Sequence, residues 1–267
     1  MPPEPTGSEP VLETRDLTIR FGGHVAVDRV SCRFAPGSLT AIVGPNGAGK
    51  TTFFNLVSGQ LRATSGHVVL FGRDITTLGA PARTRRGIGR AFQLTNLFPN
   101  LSVLENVRLA VQAAAGVGLE LLTSWSRRRD LIDKAASILE RVALTARAAT
   151  LAAALPHGDQ RKLEVAILIA LEPAIFMFDE PTAGMSVDEV PVILDLIADL
   201  KRAADKTILL VEHKMDVVRS LADRLVVLHN GALVADGAPA EVIALPIVQE
   251  AYLGQASLAP SAGAGHG

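Results

Sequence analysis

Residues Gly44-Pro45-Asn46-Gly47-Ala48-Gly49-Lys50-Thr51 constrain the fold of this chain more than any other stretch. An apolar run, Leu39 to Val43, precedes them, and a run of helical character, Thr52 to Val57, follows. A P-loop requires that strand–loop–helix setting. Its glycines let the backbone close into a nest whose N–H groups face phosphate oxygens, and the helix adds the positive end of its dipole. Lys50 offers a point charge to the β- and γ-phosphates, and Thr51 offers a hydroxyl to Mg2+. A nucleoside triphosphate is therefore expected to bind along Gly44, Pro45, Asn46, Gly47, Ala48, Gly49, Lys50, Thr51 and Thr52.

The rest of the composition narrows the class. The 267 residues are 48% hydrophobic and 20% charged, ample material for a core. A net charge of −1 gives no electrostatic case for nucleic acid as a partner. No apolar run reaches the roughly 18 residues of a membrane span. The nearest, Val165 to Phe178, is broken by Glu172 and Pro173. Met1-Pro2-Pro3-Glu4-Pro5 has no basic region and no apolar region behind it, so no signal peptide is expected. One cysteine, Cys32, excludes an internal disulfide and reads as a small core residue in a reducing compartment. The expectation is a soluble cytoplasmic chain, which can still dock on a membrane protein.

Along the chain, residues 1–10 are rich in proline and polar residues and are expected to be disordered. Val11 to Phe21 and His24 to Phe34 read as strands turned by Gly22-Gly23, an antiparallel entry ahead of the loop. His67 to Phe71 reads as a further strand. Arg83 to Arg86 form a basic cluster, read as a solvated face. From residue 101 to about 155 the signals are helical: Ser102 to Ala115, then Asp130 to Val142 with Leu131, Ala135, Ile138, Leu139 and Val142 at helical spacing. Trp125 and Arg127-Arg128-Arg129 fall between those helices. This stretch is expected to be a helical subdomain, about residues 95–160, inserted in the core.

Ala174 to Phe178 is a continuous apolar run ending in Asp179-Glu180, as a buried strand of a parallel sheet reads. Thr207 to Val211 is another, ending in Glu212-His213. Leu225 to Leu228 and Ala232 to Ala235 form a hairpin through Asn230-Gly231, and residues 239–253 read as helix. The final residues, 255–267, are rich in Ala, Gly and Ser and are expected to form a disordered tail. Strands alternating with helices argue an α/β fold with a parallel sheet, which binds ligands beyond the carboxyl ends of its strands. The P-loop, Asp179-Glu180 and Glu212-His213 should therefore meet on one edge. Asp179 is placed to hold Mg2+ opposite Thr51, or simply to cap a turn. Glu180 suits activation of an attacking water, since phosphoryl transfer needs mainly positioning and charge stabilisation. His213 could bond a γ-phosphate or a product oxygen, though a strand-end histidine on its own is often structural. Lys50 and Asp179 are far further apart in sequence than the dozen or so residues a minimal crossover needs, and the helical stretch accounts for the excess.

Together these residues resemble the ATPase subunit of an ATP-binding cassette (ABC) transporter over about residues 11–254. Gly44 to Thr51 is similar to Walker A, and Phe176-Met177-Phe178-Asp179 with Glu180 to Walker B and its catalytic glutamate. The resemblance implies that Gln93 senses the γ-phosphate and metal, that His213 is the switch histidine, and that Phe21 stacks on adenine. It implies ATP and Mg2+ as cofactors, with Thr51, Gln93 and Asp179 at the metal. It also implies two ATPase subunits, the same or different chains, facing head to tail beneath transmembrane permease subunits, with a solute-binding protein engaged indirectly. The chain would then sit on the cytoplasmic face of the membrane. Leu94, Leu97, Phe98 and Leu101 would help form a groove for a permease helix, or pack internally.

Two positions depart from the family pattern. Leu155-Pro156-His157-Gly158-Asp159 stands where the signature Leu-Ser-Gly-Gly-Gln lies, so Pro156 replaces a hydroxyl that would reach the partner's nucleotide. Gly158 and the positive end of a helix starting near Asp159 would remain for that task. Ser186 replaces the aspartate of the loop that links the two sites. Gly89-Arg90-Ala91-Phe92-Gln93, Leu104-Glu105-Asn106-Val107, Ala183-Gly184-Met185 and Glu250-Ala251-Tyr252-Leu253-Gly254 resemble the branched-chain (hydrophobic) amino-acid uptake ATPases. Urea or amide importers share much of this pattern, and lipid exporters share the small single-cassette layout. A soluble ABC ATPase acting on nucleic acid would usually carry long insertions or tandem cassettes. A P-loop kinase or GTPase would leave residues 93, 155–160 and 213 unexplained.

Overall fold

The computed structural model describes residues 9–91, 97–116 and 129–250. The chain opens with two long antiparallel strands, β1 (Leu12–Phe21) and β2 (His24–Phe34). β3 (Leu39–Val43) leads through the loop into α1 (Lys50–Ser58). β4 (Ser65–Leu70) and β5 (Arg73–Asp74) complete a four-stranded antiparallel sheet ordered β2-β1-β4-β5. Next come α2 (Ala80–Thr84), β6 (Ile88–Arg90), α3 (Val103–Ala114), α4 (Arg129–Arg141) and α5 (His157–Ala170). The chain continues through β7 (Ile175–Asp179), α6 (Val190–Arg202), β8 (Thr207–Val211) and α7 (Met215–Leu221). It then forms β9 (Arg224–His229), β10 (Ala232–Gly237) and α8 (Pro239–Ile243). A second sheet has the order β10-β9-β3-β8-β7-β6 and is parallel except for the β9–β10 hairpin.

The apolar runs become central strands because they are covered on both faces. Successive side chains of a strand point to opposite sides. Ile175 and Met177 of β7 therefore pack with Phe53, Phe54 and Leu56 of α1 and with the antiparallel sheet. Phe176 and Phe178, whose rings stack 6.1 Å apart, pack with the helices on the other side. That second core runs without a break from the sheet into Val103, Val107 and Val111 of α3 and Leu131, Ile138 and Leu139 of α4. Asn230 and Gly231 have φ of 48° and 79°, the two positive values that a type I′ hairpin needs.

Some local expectations change. Arg83 is not on a solvated face. Its guanidinium is buried and donates to the carbonyls of Leu56 and Val57, the end of α1, and of Leu78 and Thr76. Arg85 and Arg86 do face solvent. Arg129 belongs to α4 and not to the connection before it. α5 begins at His157, two residues before Asp159, with Pro156 at the N-cap. Proline has no N–H to lose and a fixed φ, so it is tolerated at the start of a helix. The helix expected over 239–253 is broken: α8 ends at Ile243, and residues 246–250 form a separate turn of helix behind Pro246. Leu97 packs against the core while Phe98 is exposed. Gln93, Leu94, Trp125, Arg127, Arg128 and Tyr252-Leu253-Gly254 lie outside the described residues, as do 1–8 and 255–267 of the expected disordered termini. Among the described residues, no helix is long and apolar enough to cross a membrane.

Candidate functional site

The order of the parallel strands decides where chemistry can occur. β3, β8 and β7 are neighbours with a common direction, so the loops after them share one edge of the sheet. The P-loop follows β3, Glu212-His213 follow β8, and Glu180 follows β7.

An open cleft of about 410 Å³ lies on this edge. Asn46, Gly47, Ala48, Gly49, Lys50, Thr51 and Thr52 line it, together with Phe21, His24, Ala26 and Glu180. Gly49 caps α1 with φ 95°, and a Cβ there would fall 2.5 Å from the Ala26 carbonyl oxygen. Both the left-handed backbone and the close approach of β2 therefore demand glycine. No side chain caps the N-terminus of α1 and no acidic residue occupies its first turn. The first amides of a helix have no intrahelical acceptor, so this end is built for an anion.

Lys50 is buried and its ammonium donates to the carbonyls of Gly44 and Pro45 at 2.7 and 3.1 Å. Burial pulls its pKa below the usual lysine value, while the carboxylates of Glu180 and Asp179 oppose that shift. The positive charge is thus held at the mouth of the loop within the field of both acids. Glu180 has φ 51°, a left-handed backbone that a residue with a Cβ seldom adopts. Its N–H donates to the Val211 carbonyl of β8, which fixes the turn and delivers its side chain to the cleft. Strain of this kind collects at functional sites.

Asp179 does not line the cleft. Its Oδ2 accepts from Arg90 Nη2 at 2.7 Å. Thr51 and Asp179 offer a hydroxyl and a carboxylate, the hard oxygens that Mg2+ takes. No group of three or more His, Cys, Asp or Glu suited to a metal occurs among the described residues. Mg2+ in phosphate sites needs only one or two protein oxygens beside those of the phosphates, so the donor set fits that ion.

His213 stands on the same edge but is half-exposed and not a lining residue; its Nδ1 is 3.5 Å from Glu212 Oε2. Gly158 is not at this cleft. It occupies the first turn of α5, where a Cβ would come within 2.3 Å of the Glu189 carboxylate. Glu189 in turn accepts from Lys162 of α5 and from the N–H and hydroxyl of Ser186.

Two buried charged residues at this edge, Arg90 and Glu212, were given no role of their own by the sequence. Arg90 had a visible signal, a cation in the apolar setting of Ile88-Gly89-Arg90-Ala91. Burial pulls its pKa down, with Asp179 opposing the shift. Glu212 is fully buried, and its carboxylate accepts from the Thr182 hydroxyl and from the N–H groups of His213 and Lys214.

Residues 27–183 match the family model described as "ABC transporter". The chain is 39% identical over 254 residues to the high-affinity branched-chain amino acid transport ATP-binding protein LivG of Escherichia coli K12, covering 93% of this chain and 100% of that protein. BraF of Pseudomonas aeruginosa, named for the same transport, is also 39% identical over 254 residues, with the same coverage of both chains. Among solved structures, the ADP conformation of MJ1267, an ATP-binding cassette of an ABC transporter, superposes with a TM-score of 0.77 at 30% identity. That match covers 92% of this chain and 100% of the other.

Proposed function

We infer the chain's task from one premise: it belongs to the ABC transporter family, as an ATP-binding subunit that hydrolyses ATP. We propose that it powers an importer of branched-chain or other hydrophobic amino acids. The likeness to LivG and BraF along the whole of those proteins supports that substrate class. The observation that carries the catalytic reading is the single cleft lined by the P-loop, Phe21 and Glu180.

In this reading the amides of Gly47, Gly49 and Lys50 and the Lys50 ammonium hold the phosphates of ATP, and Phe21 lies against the adenine. Thr51, Asp179 and Gln93 hold Mg2+, which neutralises phosphate charge when bound. Glu180, carried on its left-handed turn, takes a proton from the attacking water. His213 contacts the γ-phosphate or the released phosphate as the two subunits close. Gly158 and the start of α5 serve a nucleotide held by a second ATPase subunit. Permease subunits pair with this dimer at the cytoplasmic face of the membrane, and a solute-binding protein delivers the amino acid.

The Glu180→Gln variant tests the chemistry. It should bind ATP as the native chain does, with turnover reduced by about 10²- to 10⁴-fold, the usual contribution of a positioned base. Native-like turnover would remove Glu180 from that role. The transport reading is tested in liposomes holding the chain with the membrane protein that co-purifies with it. Leucine, isoleucine or valine with a solute-binding protein should raise ATP turnover. Stimulation by urea or by lipid alone would overturn the substrate class.

A further inference from the structure

Arg90 is the one buried cation that touches both halves of the phosphate site among the described residues. It ends β6, and its side chain is only 4% exposed. Nη2 donates to Asp179 Oδ2 at 2.7 Å. Nη1 donates to Asn55 Oδ1 at 2.7 Å and to Ser58 Oγ at 3.1 Å, both on α1. The guanidinium carbon lies 5.4 Å from the centroid of the Phe54 ring, also on α1. α1 is the helix that begins with Lys50 and Thr51. One planar, rigid fork therefore fixes the end of β7 against the helix that presents the P-loop hydroxyl.

This arrangement is costly for a purely structural contact. A guanidinium is taken out of water, and its Nε is buried with no partner among the described residues. An apolar side chain at the end of β6 would fill the space beside Phe54 without either penalty. The guanidinium also commits Oδ2 of Asp179 and leaves Oδ1 without a hydrogen bond to any described residue.

We propose that Arg90 is a positioning residue for the divalent-cation site: it aims the Asp179 carboxylate and locks its distance to Thr51 by bridging β7 to α1. The inference rests on the reading above that Asp179 and Thr51 hold Mg2+. Arg90 itself touches neither nucleotide nor metal. A lysine in its place keeps the charge but cannot bond Asn55, Ser58 and Asp179 in one plane.

The test measures binding, with no turnover involved. A fluorescent ATP analogue is titrated into full-length chains carrying Glu180→Gln, with Mg2+ varied and with Mg2+ chelated. In the Arg90→Lys background the affinity without Mg2+ should match the parent, which also shows the chain is folded. The Mg2+ concentration for half-maximal enhancement should rise by about 10- to 100-fold, as for other groups that orient a metal-binding carboxylate. Ser58→Ala, which removes one anchor and leaves the Asp179 contact, should give a smaller rise in the same direction. Mn2+ titration followed by electron paramagnetic resonance should show the same order. An unchanged Mg2+ requirement in Arg90→Lys overturns the proposal, as does an equal loss with and without Mg2+. Asp179→Asn separates the two ideas. If it leaves the Mg2+ requirement unchanged, the metal reading itself fails. If it raises the requirement while Arg90→Lys does not, only the role of Arg90 fails.

Discussion

The Thr182 hydroxyl donates to Glu212 Oε1 over 3.1 Å, joining the turn after Glu180 to the loop that carries His213. Glu212 Oε2 accepts from the N–H groups of His213 and Lys214 at 2.7 and 3.2 Å. A carboxylate with no solvent exposure thus satisfies three donors drawn from the ends of β7 and β8. Its negative charge is tolerated because each donor is directed at it.

Glu212→Gln keeps one oxygen but turns an NH2 group toward either the hydroxyl or the two amides. The loss should be about 1.5–3 kcal/mol, the range for a hydrogen bond to a charged group. We expect a lower urea midpoint with an unchanged slope. ATP affinity should persist, because the P-loop is untouched, while turnover falls. Loss of ATP binding with turnover would instead mean that Glu212 supports the whole cleft.

Arg83 gives a prediction about stability alone. Its guanidinium closes the last carbonyls of α1, the helix whose first turn holds Lys50 and Thr51. Burial lowers its pKa to about 10, so it remains a cation at neutral pH. Arg83→Met fills the space but takes the guanidinium donor from the carbonyls of Val57, Thr76 and Leu78, while Leu56 keeps the Gly59 N–H. Destabilisation of about 2–4 kcal/mol is expected from orphaned buried acceptors, read as a fall in Tm. The ATP affinity of the molecules that remain folded should change little, since Arg83 is remote from the cleft in its contacts.

Cys32 is buried in the antiparallel sheet, and burial pushes its thiol up to about 12. The folded state keeps a proton that the unfolded chain releases above about pH 9. Its contribution to stability is therefore intact below pH 9 and is lost as the pH rises toward 12. The native chain should resist a disulfide reagent at pH 8 and react at once in denaturing urea. Rapid labelling of the native chain would show that β1 and β2 open on their own.

Much of this arrangement is legible in the chain itself. The loop at 44–51 sits between a strand and a helix, and each buried parallel strand is written as an unbroken apolar run such as Phe176-Met177-Phe178. The shared edge of β3, β7 and β8 follows once those runs are placed in one sheet. Contacts between residues far apart in sequence are harder to see. Arg83 sits in a run of charges on paper, yet partners with carbonyls 26 and 27 positions away. Arg90 and Asp179 are 89 positions apart, and no local period links them. The start of α5 is displaced because Pro156 can serve as a cap, a choice that depends on what the preceding turn does. Helix ends answer to such local competition and are less marked than helix interiors.

Ser186 stands where the resemblance puts an aspartate, and the structure supplies a local reason for serine. Its N–H and hydroxyl both donate to Glu189 Oε2, at 3.2 and 3.0 Å, while the Glu189 N–H donates to the Ser186 carbonyl. These bonds close a turn just before α6, with the Glu189 side chain bonded back to the backbone and hydroxyl of Ser186. The Lys162 ammonium bonds the other oxygen of Glu189, and these contacts hold the Glu189 carboxyl below the ordinary carboxylate range, Lys162 having the largest effect. That carboxylate is packed against Gly158. An aspartate at 186 has no proton to give, so it would set two carboxylates side by side at the entry to α6. Ser186→Asp should therefore be less stable than native at neutral pH. Ser186→Ala, which loses the hydroxyl alone, should cost about 1 kcal/mol, the net worth of one hydrogen bond. On lowering the pH, Ser186→Asp should recover relative to native as one carboxyl takes a proton and becomes a donor. Thermal melts of the three chains across pH 4 to 8 read this directly. A Ser186→Asp chain as stable as native at neutral pH would mean that Lys162 alone neutralises the pair.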